Sequence, residues 1–569
     1  MESSTLRDKI IGCWIGKSIG GTLGAPVEGH LNPPPRYFYD PIPDRMMPND
    51  DLDLQVLWLE ELERSGFPVS CRKLADRWLE SVHFHPDEYG IAIRNLTRGL
   101  YPPFSGSFDN PFRNGMGAAI RTELWACLAP GNPDLAVRLA TEDACVDHVS
   151  DGLYAAQFLA ALESLAFVES NRNTLLDSAL SYIPADSRVR RAIGLVRARW
   201  AEGADAAAIR ADVLKHFATD NWTDVAVNLA FIVLGWLAGR GDFGASICAA
   251  VNCGYDADCT GATLGALLGI LDPGSIPAKW LEPIGRDIVL SPSICGAHPP
   301  ASIDEMSDRI LALRTSALAP AFQSAMPDAG CAVVADEPCR IVLRHPPERV
   351  FFPGTPATIR IRLSDAIPSL ARRGTLELQL PDSWSLGPDG DRTQTAAWDL
   401  DRPDDLTFTL LPPDEPAVVP YRTMMHLTLR TDGGVWNHLV GLPMATPSRV
   451  NGRPTWTAGE DIVLDAAGAE VEYRVKVPNL GVYRIVWNAT RPIQATLDGE
   501  PLLDNDSGRF VPAQHRSTGA WADRTLKPGW HDLRAVFPAG EPGGTAYLSI
   551  GDGPSWRLHA DVEWAMPAV

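Results

Sequence analysis

Hydrophobic residues recur at two different spacings along the chain, and the change of spacing divides it into two parts. Up to about residue 320 they recur every three to four residues, which is typical of helices with one buried face. No alternation of strand type is convincing in this part. The pattern predicts helices over residues 10–23, 49–63, 74–82, 118–128, 135–144, 153–168, 175–182, 189–201 and 225–237.

Beyond residue 330 the hydrophobic period falls to two, which predicts β-strands. An Ala- and Pro-rich stretch at 316–330 predicts a linker, and 443–454 predicts a second joint. The strand spacing fits two antiparallel sandwiches. We therefore expect a multidomain α + β chain, with an all-helical domain at 1–320 and β-sandwich domains at 328–445 and 450–569.

The first predicted helix contains several glycines. Gly12, Gly16, Gly20 and Gly21 lie within it, and Gly24 lies just beyond its end. Because no strand precedes these residues, they suit close contact between helices better than a phosphate-binding loop.

Two acidic clusters mark the starts of predicted helices. Asp256 and Asp258 lie in a turn after Gly254, and the Gly/Ala/Leu run that follows predicts a tightly packed buried helix. The second cluster is NDDLD at residues 49–53, where Asn49 is a good N-cap. Carboxylates without histidine suit magnesium, calcium or manganese and do not suit zinc. The alternative is that these acids cap two unrelated helices.

Composition limits the classes of partner. The 569 residues carry a formal net charge of −21, which argues against nucleic acids and anionic membranes as partners. No apolar run is long enough to span a membrane, and the first residues do not resemble a secretory signal. The ten cysteines include no CxxC pair, so we expect reduced thiols, no structural zinc and a cytoplasmic protein. The sequence leaves the oligomeric state open.

Four sequence blocks carry a resemblance to a known family. GCWIGKSIGGTLGAPVEG, NDDLDLQ, NGMGAAIR and GYDADCTGATLGALLGI occur in this order on a chain of helical pattern. Together they resemble the ADP-ribosylglycohydrolase family, which includes the dinitrogenase-reductase-activating glycohydrolases. The resemblance covers about residues 5–300 and does not extend to the second part of the chain.

The resemblance implies a compact helical domain that hydrolyses the N- or O-glycosidic bond at C1 of ADP-ribose. It also implies two divalent cations, usually Mg²⁺ or Mn²⁺, and catalytic roles for Glu28, Asp51 and Asp258, with Glu28 or Asp258 transferring the proton. The implied metal ligands are Asn49, Asp50, Asp51, Asp256, Asp258 and Cys259. The implied substrate-binding residues are Asn114, Gly115, Met116, Gly117 and His148.

Some residues depart from the family pattern or lie outside it. Asn49 replaces a threonine, and Cys259 replaces a hydroxyl donor and is a poor magnesium ligand, so that Thr260 is an alternative. Met116 stands where many members have asparagine. Tyr255 is adjacent to the acidic turn and is a candidate for stacking on a base or sugar, although aromatic residues in such places more often pack.

Three functions are open at this point. The first is hydrolysis of a small-molecule or protein-linked ADP-ribosyl substrate. The alternative is a glycoside hydrolase that acts on another pentofuranoside or glycan with the same scaffold, since the tryptophan-rich β part resembles carbohydrate-binding modules. A third is a catalytically inactive ligand-binding member, which Asn49 and Cys259 suggest and the retained carboxylates argue against.

Overall fold

The computed structural model describes residues 3–317, 326–365, 372–387, 389–458, 461–464, 466–558 and 561–568. The chain forms two compact units. We call them the helical unit, residues 1–83 and 113–321, and the sandwich unit, residues 84–112 and 322–569. Part of the predicted linker, residues 318–325, lies outside the described residues.

The expected fold class, helices followed by antiparallel sheets, is confirmed. Single 3-10 turns lie at Ala25–Val27, Ala119–Arg121 and Pro273–Ser275. No helix among the described residues combines the length and apolarity needed to cross a bilayer. The α-helices are α1 (Ser3–Gly24), α2 (Asp50–Ser65), α3 (Cys71–Ser81), α4 (Asp87–Thr97), α5 (Phe104–Ser107), α6 (Glu123–Leu128), α7 (Pro133–Ala144), α8 (Ser150–Ala166), α9 (Arg172–Leu180), α10 (Arg188–Ala201), α11 (Ala206–Phe217), α12 (Val225–Ala238), α13 (Phe243–Val251), α14 (Ala257–Leu271), α15 (Ala278–Leu281) and α16 (Ile303–Ala317).

One predicted helix differs from the structure in a way that affects the site. The helix expected over 118–128 is divided into the 3-10 turn Ala119–Arg121 and α6. Thr122, at the division, donates a hydrogen bond from its hydroxyl to Glu163 at 2.9 Å. Arg121 reaches back to the Gly117 carbonyl at 2.7 Å, so side-chain contacts replace a regular helical turn here.

Helices α1 and α14 pack against each other through opposed glycines. A Cβ atom on Gly16 would lie 2.0 Å from the Gly265 carbonyl oxygen, and one on Gly20 would lie 1.9 Å from that of Gly261. Any side chain at these positions would force the two backbones apart. The close helix contact expected from the glycines of the first helix is therefore present, and α14 is its partner.

The described residues of the second part form four antiparallel sheets. Their strand orders are β1-β2-β3-β7-β5, β10-β9-β4-β6, β12-β11-β14-β19-β16-β17 with β21 and β8 attached, and β13-β20-β15-β18. The strands are β1 (Cys331–Ala335), β2 (Arg340–Arg344), β3 (Ala357–Ser364), β4 (Arg373–Gln379), β5 (Ser385–Leu386), β6 (Thr393–Asp399), β7 (Leu406–Leu411), β8 (Val419–Pro420), β9 (Met424–Thr431), β10 (Gly434–Gly441), β11 (Thr446–Val450), β12 (Arg453–Thr457), β13 (Asp461–Leu464), β14 (Ala469–Val477), β15 (Gly481–Ala489), β16 (Ile493–Leu497), β17 (Glu500–Asn505), β18 (Trp521–Leu526), β19 (Gly529–Phe537), β20 (Gly544–Asp552) and β21 (Glu563–Ala565).

Alternating inward residues of these strands form the apolar core of the sandwich unit. Trp487 has no exposed surface, and its ring centroid lies 6.0 Å from that of Tyr473. Trp436 and Trp456 pack against the same core from partly buried positions. These three tryptophans therefore contribute to the stability of the fold, as aromatic residues between sheets usually do.

Residues 84–112 belong to the sandwich unit, although they lie between helices of the helical unit in the sequence. Arg98 donates to the Tyr421 carbonyl at 3.0 Å, and the Tyr101 hydroxyl donates to the Leu439 carbonyl at 3.0 Å. The ring of Phe104 stacks on His345 with centroids 3.9 Å apart. The domain boundary predicted from the sequence, a helical domain of residues 1–320, does not separate residues 84–112 from the helical unit. The contacts that assign them to the sandwich unit join residues far apart in the chain.

The glycine contact predicts unequal effects of two glycine-to-alanine substitutions. Gly20→Ala should lower the stability of the protein by about 3 kcal/mol, because the added methyl group clashes with backbone that cannot rotate away. Gly194→Ala is the matched control: this helical glycine in α10 has open space around it, so alanine should stabilise by about 0.5–1 kcal/mol. Thermal denaturation of both variants measures the difference, and equal melting temperatures would contradict the packing.

The position of residues 84–112 predicts the behaviour of a truncated chain. A fragment of residues 1–320 should aggregate, because Ile91, Phe104 and Phe112 lose the sandwich residues that cover them. Size-exclusion chromatography of the fragment and the full chain measures this. The same fragment with Ile91→Ser and Phe112→Ser should be less aggregated, whereas a monodisperse unmodified fragment would refute the prediction.

Candidate metal centre

The first acidic cluster is held by the start of α2. Asn49 is the N-cap as predicted, and its side-chain oxygen accepts the Asp51 N–H at 2.8 Å. This bond fixes the first turn of α2 and places Asp51 in the interior, where 1% of its surface is exposed. Asp50 is partly exposed. The amide oxygen of Asn49 already serves the helix, and its role as a metal ligand stays a prediction.

The second acidic cluster is held by the turn that precedes α14. Gly254 and Tyr255 both adopt positive φ, at 72° and 64°. At Gly254 a Cβ would lie 2.4 Å from the His30 carbonyl oxygen, so only glycine fits there. The turn delivers Asp256 to the N-cap position of α14, and it places Asp258 in the first turn of that helix.

The loop that carries Glu28 is joined to the same turn. The Gly29 N–H donates to the Tyr255 carbonyl at 2.8 Å, and the Tyr255 N–H donates to the His30 carbonyl at 3.0 Å. Helix α1 ends just before this loop at Gly24, where a Cβ would lie 2.3 Å from the Ala257 carbonyl oxygen. Close approach of the two backbones thus brings Glu28 to the start of α14.

These elements place the acidic side chains in two overlapping groups. In the first, one ligand atom from each of Glu28, Asp256 and Asp258 lies within 4.8 Å of the others. In the second, the same limit holds for Asp51, Asp258 and Cys259. Asp258 belongs to both groups. Glu28 is exposed and the other members are buried, so the site has one solvent-facing side.

Burial and mutual repulsion make these carboxylates hard to ionise without a cation. Burial, followed by the charges of Asp258 and Glu28, raises the pKa of Asp256 well above its usual value. Burial also raises the pKa of Asp51, and the opposing charge of Lys17 offsets only part of this. Among the described residues, neither oxygen of Asp51 finds a hydrogen-bond partner, and Oδ1 of Asp258 has none either.

The donor set fits a hard divalent cation. Mg²⁺ and Mn²⁺ prefer oxygen ligands such as carboxylates, and among the described residues the Asp51 oxygens and Oδ1 of Asp258 lack hydrogen-bond partners that would compete with a cation. A bound cation would also relieve the repulsion between the carboxylates. Cys259 is a weaker donor, because burial and then Asp256 raise the pKa of its thiol well above the usual value. The Thr260 hydroxyl donates to the Ala257 carbonyl at 3.1 Å, so its proton is already used locally.

Asp53 does not join the cluster, although it shares a helical face with Asp50. Its Oδ1 accepts the Ser291 N–H at 3.1 Å, and burial raises its pKa to about 6. It therefore anchors the 291 loop to α2. Because it is a buried aspartate of the same helix outside both groups, Asp53 provides a control for mutations in the cluster.

Sequence reasoning missed a buried lysine close to the acids. Lys17 lies in α1 with 2% of its surface exposed, and Nζ donates to Glu123 and to the Ile120 carbonyl, both at 2.8 Å. Burial lowers the pKa of Lys17, whereas the charges of Glu123 and then of Asp51 raise it. The charges outweigh burial, so the net pKa of Lys17 is above its usual value. A lysine within an apolar helical run was the signal for this buried ion pair.

The predicted substrate loop is held by its backbone. The Asn114 carbonyl accepts the Val225 N–H at 3.0 Å, and the Gly117 carbonyl accepts from Arg121. Gly115, Met116 and Gly117 are buried, and the Asn114 Oδ1 has no hydrogen-bond partner among the described residues. The side chain of Tyr255 is 7% exposed and packs edge-on against Phe231, with centroids 5.8 Å apart. Contacts of these residues with a ligand stay predictions.

His148 lies in the interior with no exposed surface. Its Nδ1 is 2.8 Å from Asp147, and Asp147 is also bound by Arg121 at 2.6 Å. Arg121 contacts Asp143 as well, at 2.9 Å, which makes a buried ionic network around the end of α7. Because His148 has no accessible surface, its predicted substrate contact would require neighbouring residues to move.

The helical unit thus carries a buried carboxylate cluster at the starts of two helices, α2 and α14. The chain belongs to the ADP-ribosylglycohydrolase family, whose model matches residues 2–318. The four blocks noted in the sequence all lie within this range.

Similar proteins were found among known sequences and among solved structures. An uncharacterized protein of Archaeoglobus fulgidus is 27% identical over 303 residues, which are 49% of this chain and 92% of that protein. A solved structure described as an ADP-ribosylglycohydrolase-related protein complex is 23% identical, covers 55% of this chain and all of that one, and has a TM-score of 0.40. An α-L-rhamnosidase from Dictyoglumus thermophilum is 10% identical over 42% of this chain and 29% of its own, with a TM-score of 0.16.

The raised pKa values predict how pH and metal act together on stability. A carboxyl group whose pKa is higher in the folded state than in the unfolded state, about 4, binds more protons when folded, so its contribution to stability falls as pH rises above 4. A divalent cation competes with these protons. MgCl₂ at a hundred times its Kd should therefore stabilise the protein by about 2.7 kcal/mol near pH 7.5, and by less near pH 5.5.

Thermal shift measurements at both pH values, each with and without chelator, test this prediction. Asp53→Asn should keep the pH-dependent magnesium effect, since its carboxylate binds the Ser291 N–H outside the cluster. Asp258→Asn should lose it, because Asp258 is common to both groups. A magnesium effect of the same size in the Asp258 variant would show that the cation binds elsewhere.

Proposed function

We propose that this chain is a divalent-metal-dependent glycohydrolase that cleaves the N- or O-glycosidic bond at C1 of ribose in an ADP-ribosyl group. The observation that carries the proposal is the pair of overlapping ligand groups that share Asp258. Membership of the ADP-ribosylglycohydrolase family supports it. A small-molecule or protein-linked ADP-ribosyl compound would be the substrate.

Two cation positions follow from the two groups. Glu28, Asp256 and Asp258 would hold one cation, and Asp51 and Asp258 would hold the other, with Asp50 and Asn49 beside them. Mg²⁺ or Mn²⁺ suits these oxygen donors. With a protonated thiol as its third member, the second position should be the weaker one. Cations in such sites lower the pKa of water and orient hydroxyl ligands.

The chain's own residues would supply proton transfer and charge stabilisation. Because Glu28 is the exposed acid of the two ligand groups, its carboxylate would take a proton from an attacking water molecule and release it to solvent. Asp258 is the second candidate for this role. Cleavage of a furanoside develops positive charge at the sugar ring, which the carboxylates would stabilise.

The loop of residues 114–117 would bind the rest of the substrate. Backbone N–H groups of Gly115 and Gly117 are candidates for the diphosphate, because small residues allow an anion to approach the main chain. The side-chain oxygen of Asn114 has no partner among the described residues and could accept a hydrogen bond from a ribose hydroxyl. These contacts would hold the anomeric carbon near the acids.

A pair of variants tests the proposal by activity. With Mg²⁺ present, the full chain should release ADP-ribose from an N- or O-linked ADP-ribosyl compound, measured by chromatography. Asp258→Asn should lower the rate by on the order of 100-fold or more, because it removes a carboxylate of both groups. Asp53→Asn should retain most of the rate. Calorimetric titration with ADP-ribose, before and after chelation, separates binding from turnover.

The remaining outcomes decide between the functions that the sequence left open. Metal-dependent ADP-ribose binding without turnover of any linkage would identify a binding protein. Metal binding without ADP-ribose binding would reject the ADP-ribosyl substrate and direct the assay to a panel of furanosides and glycans. Full activity of Asp258→Asn would reject the site itself.

A further inference from the structure

A cavity of about 420 Å³ lies on the outer face of the sheet β1-β2-β3-β7-β5, within the sandwich unit. Its volume is in the range of small-molecule sites. Val342 and Cys331 provide apolar surface, and Asp405 is the one acid among the lining residues. Four arginines also line it: Arg340, Arg344, Arg360 and Arg362. In a chain with a net charge of −21 this is an unusual concentration of positive charge.

Strand register brings the arginines together. Arg344 of β2 is directly opposite Arg360 of β3, and Val342 is opposite Arg362. Residues 360 and 362 project to the same face, because side chains alternate along a strand. Like charges at directly opposed positions destabilise a sheet. The pair of Arg344 and Arg360 therefore needs a compensating negative charge.

The protein supplies only part of that charge. Arg344 binds Asp328 with distances of 3.2 and 2.5 Å, and Arg362 binds Asp405 at 2.7 Å. Arg340 is almost completely buried, with its Nε 3.8 Å from Asp336. The guanidinium of Arg360 is exposed and has no ion-pair or hydrogen-bond partner among the described residues.

We propose that this cavity binds a small organic ligand through an oxyanion group, a phosphate or a carboxylate, placed between Arg344 and Arg360. Guanidinium groups present paired N–H donors that match both kinds of oxyanion. The apolar surface at Val342 would contact the body of the ligand. Acidic sugars and phosphate esters share this chemistry. The proposal is independent of the metal centre and of the reaction proposed for it.

Calorimetric titration of the full chain in Mg²⁺ with sodium glucuronate and with inorganic phosphate tests the site, with glucose as the neutral control. At least one anion should bind at millimolar concentration, and glucose should not. Arg360→Gln should weaken that binding by about tenfold or more, because it removes a charge-assisted hydrogen bond. Arg430→Gln is the matched control, since Arg430 is an exposed arginine of β9 in another sheet, and it should bind as the wild type does.

Repeating the titration with Asp256→Ala and with chelated wild-type protein separates this site from the metal centre. Anion binding should survive both changes, and its loss in both would place the anion at the metal centre and overturn the proposal. Stronger binding of phosphate would support a phosphate ester as ligand, and stronger binding of glucuronate would support an acidic sugar. Binding of neither anion, or equal binding by Arg360→Gln, would overturn the proposal.

Discussion

The contact between α1 and α14 is the constraint on which the candidate centre depends. Opposed glycines allow the two backbones to touch along most of both helices, ending where Gly24 meets Ala257. Because the end of α1 is fixed there, the loop that follows carries Glu28 to Asp256 and Asp258. Larger residues at the glycine positions would separate the helices by a side chain's width. Glycine lowers the helix propensity of both segments. In return, the close helix contact brings together carboxylates that are far apart in the sequence.

Charge balance around these acids explains why the site is suited to cations. Lys17 brings one positive charge into the interior, but Glu123 binds it directly. Burial raises the pKa of Asp51, Asp256 and Asp258, and the charges of neighbouring carboxylates raise the pKa of Asp51 and Asp256 further. Such an arrangement lowers the stability of the metal-free protein at neutral pH. Residues arranged at the expense of stability are characteristic of functional sites.

Local signals made part of this structure predictable. Helical periodicity and the N-cap signal at Asn49 predicted α2. The acidic turn before a Gly/Ala/Leu run predicted the start of α14. Other features depend on residues far apart in the sequence. The partner of Lys17 and the burial of His148 follow from packing between helices, which no local pattern reports. For the same reason the sequence could not show that Asp53 binds Ser291 and lies outside both ligand groups.

Residues 84–112 belong to the sandwich unit, although segments of the helical unit flank them in the sequence. They are held by hydrogen bonds to strands and loops of the sandwiches, including those of Arg98 and Tyr101. The segment ends at Phe112, and the chain continues through Arg113 into the loop of residues 114–117. In the sequence, the predicted substrate loop therefore directly follows a segment that packs within the sandwich unit. A chain cut at the end of the helical pattern would leave this segment without its packing partners, because residues 84–112 belong to the sandwich unit and not to the helical unit.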